Sequence, residues 1–553
     1  MKGKFFYPLL IFIIWLIAYI VSQLLFDQKL GWDEVAYMSV AKGIAEDFDF
    51  SARTYTVMGL IKQGYPTHFI NFPVFSIFLA IFFKSFGASL NVAYFSTWLC
   101  ALGVCLLIYF ISLLLIENSH KAALVVSLSY LFCPGILKNC DTALMEQMGC
   151  FLICLSAYLL LKDYSKRVFN LGTLVKVVFS FLIIWLYKSL FIGFFFGVLV
   201  FILLAYNPKL SGKEIKTRFP VLAFIFLSYG IFAVLFYLVK KFVFLPVAPM
   251  MTFTPSIEMN QTYADFLGGF LSNLPVNLRT NILSFLQYIA LPCFIYPTAY
   301  TNPASQFFVF IPYVVCVVIS FILFLVAIVL TFTGWKKLSP QARLFCSLTI
   351  GNVISFNVIF NFLFTTTFEN VWRYNVYSLP FFLCYIIVVL RANYDYLKPF
   401  VTDHPFATKT LMAILFVFVW CPLCLSMYNL QAALEQRYHY RAKMNREVVK
   451  AFINNDVPAF IYFNDGIHTT FTDYPIKQIM KDATNEQLLS INKILPEPVE
   501  YLFLRPTDWL FVNNKDLILK GAPVLNEMYK YVGFNQEAQI IVYKLATSGE
   551  RTF

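Results

Sequence analysis

The sequence predicts a polytopic α-helical membrane protein, with about 11 transmembrane helices and additional interfacial helices, followed by a small C-terminal α/β soluble domain. Three observations predict this. Of 553 residues, 59% are hydrophobic and only 13% are charged, against roughly 25% charged in soluble domains. Apolar stretches of about 17 to 25 residues, enough to cross about 30 Å of hydrocarbon, recur through residues 1–430. Residues 431–553 instead have mixed polarity: short apolar runs such as "AFIYF", "EYLFL" and "AQIIVYKL" alternate with the helical, polar "TNEQLLSINKIL".

The first stretch, "MKGKFFYPLLIFIIWLIAYIVSQLLF", begins with basic residues as a signal peptide does. Its apolar run is longer than a signal core and no small-x-small site closes it, so it reads as a retained span. The spans that follow are expected near 91–116, 120–137, 142–161, 173–187, 189–206, 219–240, 307–333, 345–364, 374–391 and 410–430. With the N-terminus cytoplasmic, the loops "ENSHK", "KDYSKR", "NPKLSGKEIKTR", "GWKKLSPQAR" and "RANYDYLKPFVTDHPFATK" return to the cytoplasm. They carry most of the Lys and Arg of the short loops, as the positive-inside rule requires. The net charge of +12 is therefore explained by topology and not by a nucleic-acid surface. Nearly all of the twelve cysteines lie in apolar spans and none follows Cys424, which excludes a disulfide framework in the soluble part. Cys421 and Cys424 form a CxxC inside the last hydrophobic segment, where packing accounts for them.

The remaining loops face the trans side together with the C-terminal domain: the long first loop (27–90), "LKNCD", "LYKSL", the loop from about 241 to 306, and "TTTFENVWR". The ionisable residues that are hardest to explain fall on this face. In "GWDEVAYMSVAKGIAEDFDF", Ala36, Tyr37, Val40, Ala41 and Ile44 follow helical spacing, which predicts an amphipathic interfacial helix with Asp33 and Glu34 at its start. A carboxylate there serves as an N-cap, as an aimed catalytic group, or as both. "GYPTHFINFPVFSIFLAIFFKSFG" predicts a trans-side interfacial or re-entrant helix of about 14 apolar residues, preceded by a loop carrying His68. Asp141 is expected to cap the trans end of the fourth span and Glu146 to lie more than one turn inside it, where an ionisable side chain is costly and needs a polar cavity. Lys188 interrupts about thirty apolar residues, either snorkelling at a turn or offering a cation to a phosphate. Glu369 and Arg373 stand four apart at the mouth of a span. This spacing suits an i,i+4 ion pair, and Arg373 also has the forked donors that grip phosphate. No GxGxxG, Walker loop, HExxH or paired CxxC is present, which argues against a soluble nucleotide or a tight zinc site.

Taken in order, these segments resemble the bacterial GT-C glycosyltransferases related to protein O-mannosyltransferases and to the lipid A aminoarabinose transferase. "DEVAYMSVA" is similar to that group's first-loop Asp-Glu-x-x-Tyr pattern, and "NFPVFSIFLAIFFKSFG" to its Pro-containing segment. "DTALMEQMGCFLICLSAYLLLK" is similar to its fourth-span region, "WLYKSL" to its Thr-Lys-Gly stretch, and "WRYNVYSLPFF" to its Arg-Tyr…Leu-Pro element. The resemblance spans most of residues 5–430.

It implies an inverting transfer of a sugar from a polyprenyl phosphate, commonly undecaprenyl phosphate, to a lipid, glycan or protein acceptor on the trans face of a bacterial inner membrane. Such transfer serves lipid A or cell-envelope glycan modification, or protein glycosylation. It implies Asp33 as general base and Glu34 as its positioning partner, with Tyr37 in the same motif. Asp141 or Glu146 is the second acid. Lys188, Arg373 and Tyr374 hold the donor phosphate, and His68 and Glu369 are further substrate-site candidates. No cofactor and no metal is implied, although an Asp-Glu pair with a second acid could hold Mg²⁺ or Mn²⁺. The chain departs from the group at Asn71-Phe72-Pro73, where His-Pro-Pro or Glu-Lys-Pro is common, and at Tyr187-Lys188-Ser189. Two other classes compete: a transporter or lipid flippase, which would show inverted repeats and broken helices, and an oligosaccharide polymerase or ligase, which would need an arginine-rich trans loop.

Overall fold

The computed structural model describes residues 2–25, 32–48, 51–52, 54–55, 68–69, 74–116, 119–165, 325–335, 337–354 and 376–394. It also describes the strand segments 460–461, 477–479, 501–504, 529–535 and 540–545, and isolated positions at 234, 398–399, 406 and 409. The helices are α1 (Lys2–Leu25), α2 (Trp32–Asp47), α3 (Val74–Phe86), α4 (Leu90–Leu115), α5 (His120–Leu131), α6 (Pro134–Cys140) and α7 (Glu146–Ser165). They continue as α8 (Leu325–Gly334), α9 (Pro340–Ile354) and α10 (Leu379–Ala392). Among the described residues, two helices are long and apolar enough to cross a membrane, α4 and the Phe5–Gln23 part of α1. The expected spans at 120–137 and 142–161 lie within the described residues but do not form helices long and apolar enough to cross, and the others lie wholly or partly outside the described residues.

α4 is the central helix. Ser89 caps it by accepting a hydrogen bond from the Val92 amide. Apolar and small polar residues are buried on all sides of it, from Ala93 to Leu115, as expected of a helix surrounded by others. Gly103 permits its closest approach to α7, since a Cβ there would come within 2.6 Å of the Phe151 ring. α1 is peripheral. Ile11, Trp15 and Ser22 are buried on one stripe, while Phe5, Phe6, Leu9, Ile17 and Ile20 face outward, the pattern of a lipid-facing helix.

Two boundaries differ from the sequence expectation. The span expected at 120–137 is two helices, because Pro134 lacks an N–H and its ring obstructs the preceding turn; α5 stops at Leu131 and α6 starts at Pro134. The next helix begins at Glu146, so Asp141 follows the end of α6 as its C-cap residue and does not cap α7. Glu146 accordingly sits at the first position of α7, not a turn inside it.

α3 is 13 residues long, about 20 Å at 1.5 Å per residue, too short to span. It ends where Gly87 adopts φ +85° and returns its amide to the Phe83 carbonyl. Phe75, Ser76, Leu79, Ala80 and Phe83 form its buried stripe, and α2 lies against it through Met38 and Ala41. The Ser76 hydroxyl donates to the Tyr37 carbonyl, and the Tyr37 ring meets Phe75 edge to face at 5.5 Å.

β1 (Ser51–Ala52) pairs antiparallel with β3 (His68–Phe69). A second, six-stranded mixed sheet has the order β2-β5-β4-β6-β8-β7, formed by Thr54–Tyr55, Lys477–Ile479, Phe460–Ile461, Tyr501–Leu504, Ile540–Leu545 and Tyr529–Asn535. β2 comes from the first loop and pairs parallel with β5, placing Thr54 beside Gln478 and Tyr55 beside Ile479. The domain boundary expected at 430 does not anticipate this edge strand. Because paired strands sit about 4.8 Å apart, Tyr55→Cys with Ile479→Cys is expected to give a disulfide on mild oxidation, detected as a mobility shift that reductant reverses. Cysteines that remain unlinked in the folded double variant would contradict the pairing.

Candidate active site

Asp141 lies in the turn between α6 and α7, where the end of α1 and the beginning of α4 converge. These two helices run antiparallel: the Trp15 indole donates to the Trp98 carbonyl at 2.8 Å. At the opposite end Tyr7 stacks on His120 at 5.4 Å, and the Tyr109 hydroxyl meets His120 Nδ1 at 2.7 Å. The Ser22 hydroxyl donates to Asp141 Oδ1, and Trp98 Nε1 donates to the same oxygen at 3.0 Å. Tyr19 stacks on Trp15 at 5.9 Å and meets the donor indole of Trp98 edge-on at 5.8 Å. Both hydrogen bonds from the described residues thus go to Oδ1, and Oδ2 receives none from them.

Burial pushes the Asp141 carboxyl up to about 6, while the Ser22 and Trp98 donors, which favour the charged form, hold it lower than burial alone would. The group is half-buried. A carboxylate anchored through one oxygen and titrating near neutrality can accept a proton or a hydrogen bond from a bound hydroxyl.

Glu146 is fully buried at the first position of α7, where the helix dipole favours negative charge. Its neighbour Met145 receives a hydrogen bond from the Tyr37 hydroxyl, 2.9 Å to Sδ, which brings α2 against the α6–α7 turn. Glu34, on α2, is also buried, at 2% exposure. α2 begins at Trp32, so Asp33 is a helical residue within the first turn, one turn before Tyr37, and not the cap.

The structure therefore brings Tyr37, Asp141 and Glu146 into one neighbourhood, with Glu34 one turn from Tyr37. His68 stands in a short strand opposite Ala52 and not in an open loop. Lys188, Glu369, Arg373 and Tyr374 lie outside the described residues. The chain three residues past Arg373 does reach this neighbourhood. Cys150, one turn along α7 from Glu146, donates its thiol to the Val376 carbonyl at 3.1 Å, and Asn352 Nδ2 donates to the Tyr377 carbonyl at 3.3 Å. Among the described residues no three His, Cys, Asp or Glu side chains are grouped so as to hold a metal ion.

Ser22 and Trp98 escaped the sequence reading. One hydroxyl and one indole on apolar helices look like ordinary span residues. The available signal was Ser22 itself, aligned with Ile11 and Trp15 on the narrow stripe of α1 that faces protein.

No protein-family model matches the sequence, and no curated protein matches it. Solved structures do. ArnT from Cupriavidus metallidurans bound to undecaprenyl phosphate superposes with a TM-score of 0.54 at 12% identity, covering 99% of this chain and 99% of that one. This chain shares that fold. ArnT from the same organism in the apo state gives 0.54 and 12% over 97% of each chain. An Archaeoglobus fulgidus oligosaccharyltransferase, solved with Zn and sulfate, gives 0.46 and 10% over 96% of this chain and 73% of that one. The ArnT matches run nearly end to end, so the shared fold extends over the whole length of both chains.

The anchoring of Asp141 can be measured. In difference infrared spectra that subtract an Asp141→Asn reference, its carboxyl is expected to titrate near pH 6. Ser22→Ala, by removing a donor to the charged form, should move that midpoint upward. A midpoint near 4 that ignores Ser22 would contradict the geometry.

Proposed function

We propose that this chain is an inverting glycosyltransferase that moves a sugar from a polyprenyl phosphate to a lipid, glycan or protein acceptor on the trans face of a bacterial inner membrane. The observation that carries the reading is the end-to-end match to the GT-C fold of ArnT, a protein solved with undecaprenyl phosphate bound, together with an anchored acid at one end of the helix bundle. The pairing of β2 with β5 supports the topology: the first loop and residues beyond 460 share one sheet, and a sheet cannot straddle a bilayer. Residues 1–430 then form the catalytic membrane domain, and residues 431–553 form a periplasmic domain that borrows its edge strand from the first loop.

In this mechanism Asp33 takes the proton of the acceptor hydroxyl as its oxygen attacks the anomeric carbon. The bond from that carbon to the phosphate oxygen breaks and its electron pair stays on the lipid phosphate. Lys188, Arg373 and Tyr374 stabilise that developing charge, an electrostatic role that a preorganised cation performs best. Glu34, buried beside the base, positions it. Asp141 is the second acid, accepting a hydrogen bond from a substrate hydroxyl through Oδ2, because its other oxygen is already engaged. Glu146, wholly buried at the start of α7, steadies the turn. No metal or organic cofactor enters any step.

Purified protein given radiolabelled undecaprenyl-phosphate sugars and lipid A, peptide or glycan acceptors is expected to label one acceptor class. Asp33→Asn and Asp141→Asn should each lower transfer by about 10²-fold or more, whereas Glu146→Gln should retain it within about tenfold. Undiminished transfer by folded Asp33→Asn would sink the base assignment, and lipid transport without transfer would sink the enzyme class.

A further inference from the structure

Two carboxamides beside the acid turn are buried without their full complement of hydrogen bonds. Asn139, on the last turn of α6, is 1% exposed, and neither Nδ2 nor Oδ1 has a partner among the described residues. Gln147, the second residue of α7, is fully buried; its Oε1 accepts from the Tyr130 hydroxyl at 2.8 Å while Nε2 has no partner among the described residues. The Tyr130 hydroxyl engages one end of the Gln147 amide and leaves the other end open. The surroundings do not meet the need. Tyr130 lies among the thiols of Cys105, Cys140, Cys150 and Cys154, and a thiol is a weak partner for an amide. The two residues flank the segment from Cys140 to Glu146, whose centre is held by the Thr142 hydroxyl donating to the Asn139 carbonyl at 2.7 Å.

Buried polar atoms in native proteins are satisfied by protein, by ordered water or by ligand. Asn139 presents one donor and one acceptor, the pair that a single alcohol needs, and Gln147 presents a further donor. Neither carries charge, and the open acceptor of Asn139 would face a phosphate oxygen unfavourably, so an alcohol suits the pair better than an anion. We propose that Asn139 and Gln147 hold hydroxyl groups of the transferred sugar and so select it, next to Asp141. This assignment rests on the glycosyltransferase reading and adds to it the residues that recognise the sugar ring, as distinct from those that hold the lipid phosphate.

The test is a binding measurement on the full-length protein in nanodiscs. It compares bare undecaprenyl phosphate with undecaprenyl phosphate carrying glucose, mannose or aminoarabinose. At least one sugar is expected to tighten binding by the wild type over the bare lipid. Asn139→Leu and Gln147→Leu should each reduce that increment by roughly tenfold or more, since lost hydrogen bonds to a hydroxyl discriminate strongly. Affinity for the bare lipid should not change. The melting temperature should stay level or rise, because an apolar side chain of similar shape removes unpaired buried atoms. A retained increment with a lowered melting temperature would show that the carboxamides hold internal water, and would overturn the proposal. A wild type that binds no sugar-bearing lipid better than the bare one would overturn it too. Should Asn139→Leu fail to fold, Asn139→Ser takes its place and is read by binding alone: loss of the increment supports the assignment and its retention overturns it. Because the readout is binding, an increment that the variants lose stands even if no acceptor takes label, which separates failure of this assignment from failure of the transferase reading.

Discussion

A carboxylate at the end of an apolar helix bundle must find donors or give up its charge, and the hydrogen bonds to Asp141 Oδ1 meet that demand. They come from α1 through Ser22 and from α4 through Trp98, two helices that are distant in sequence from the α6–α7 turn. Hydrogen bonds to a charged group contribute about 1.5–3 kcal/mol each, comparable to the burial of a large apolar side chain, and here they also have direction. They fix where α1 ends, and so where the chain enters α2, the helix that carries Asp33 and Glu34. The Tyr37 hydroxyl on Met145 closes the same circuit from the other side. The chemistry of the turn and the packing of the bundle are therefore one arrangement.

The arrangement reaches beyond the membrane helices. α2 leads into β1 and β2, and β2 is the edge strand of the sheet built from residues 460–545. Backbone pairing is indifferent to side-chain identity, so a sheet can be joined to the first loop while the loop's sequence is free to adapt to its substrate.

Much of this was legible in the sequence where a physical rule acts locally. The span expected at 91–116 is α4, Leu90–Leu115, because an uninterrupted apolar run with a Ser before it has one helical solution. The run after Pro73 is α3 because Gly87 stops it. The strands at Tyr501–Leu504 and Ile540–Leu545 fall within "EYLFL" and "AQIIVYKL", where β-branched and aromatic residues cluster. Less legible was whatever depends on chain far away. Pro134 was visible, but hydropathy averaged over it and merged α5 with α6. Asp141 and Glu146 were both visible as acids. The anchoring of Asp141 was not, since it is set by Ser22 and Trp98, more than 40 residues distant. The pairing of Thr54–Tyr55 with Lys477–Ile479 left no mark on either segment.

The central claim is a location: the reacting phosphate sits at the end of the bundle marked by Asp141, not at the end marked by His120. A photoactivatable undecaprenyl-phosphate analogue with its reactive group on the phosphate tests this most directly, with the labelled peptides mapped by mass spectrometry. The account predicts labelling within residues 134–150 and 373–378. Labelling concentrated instead around Tyr7, Tyr109 and His120 would contradict it.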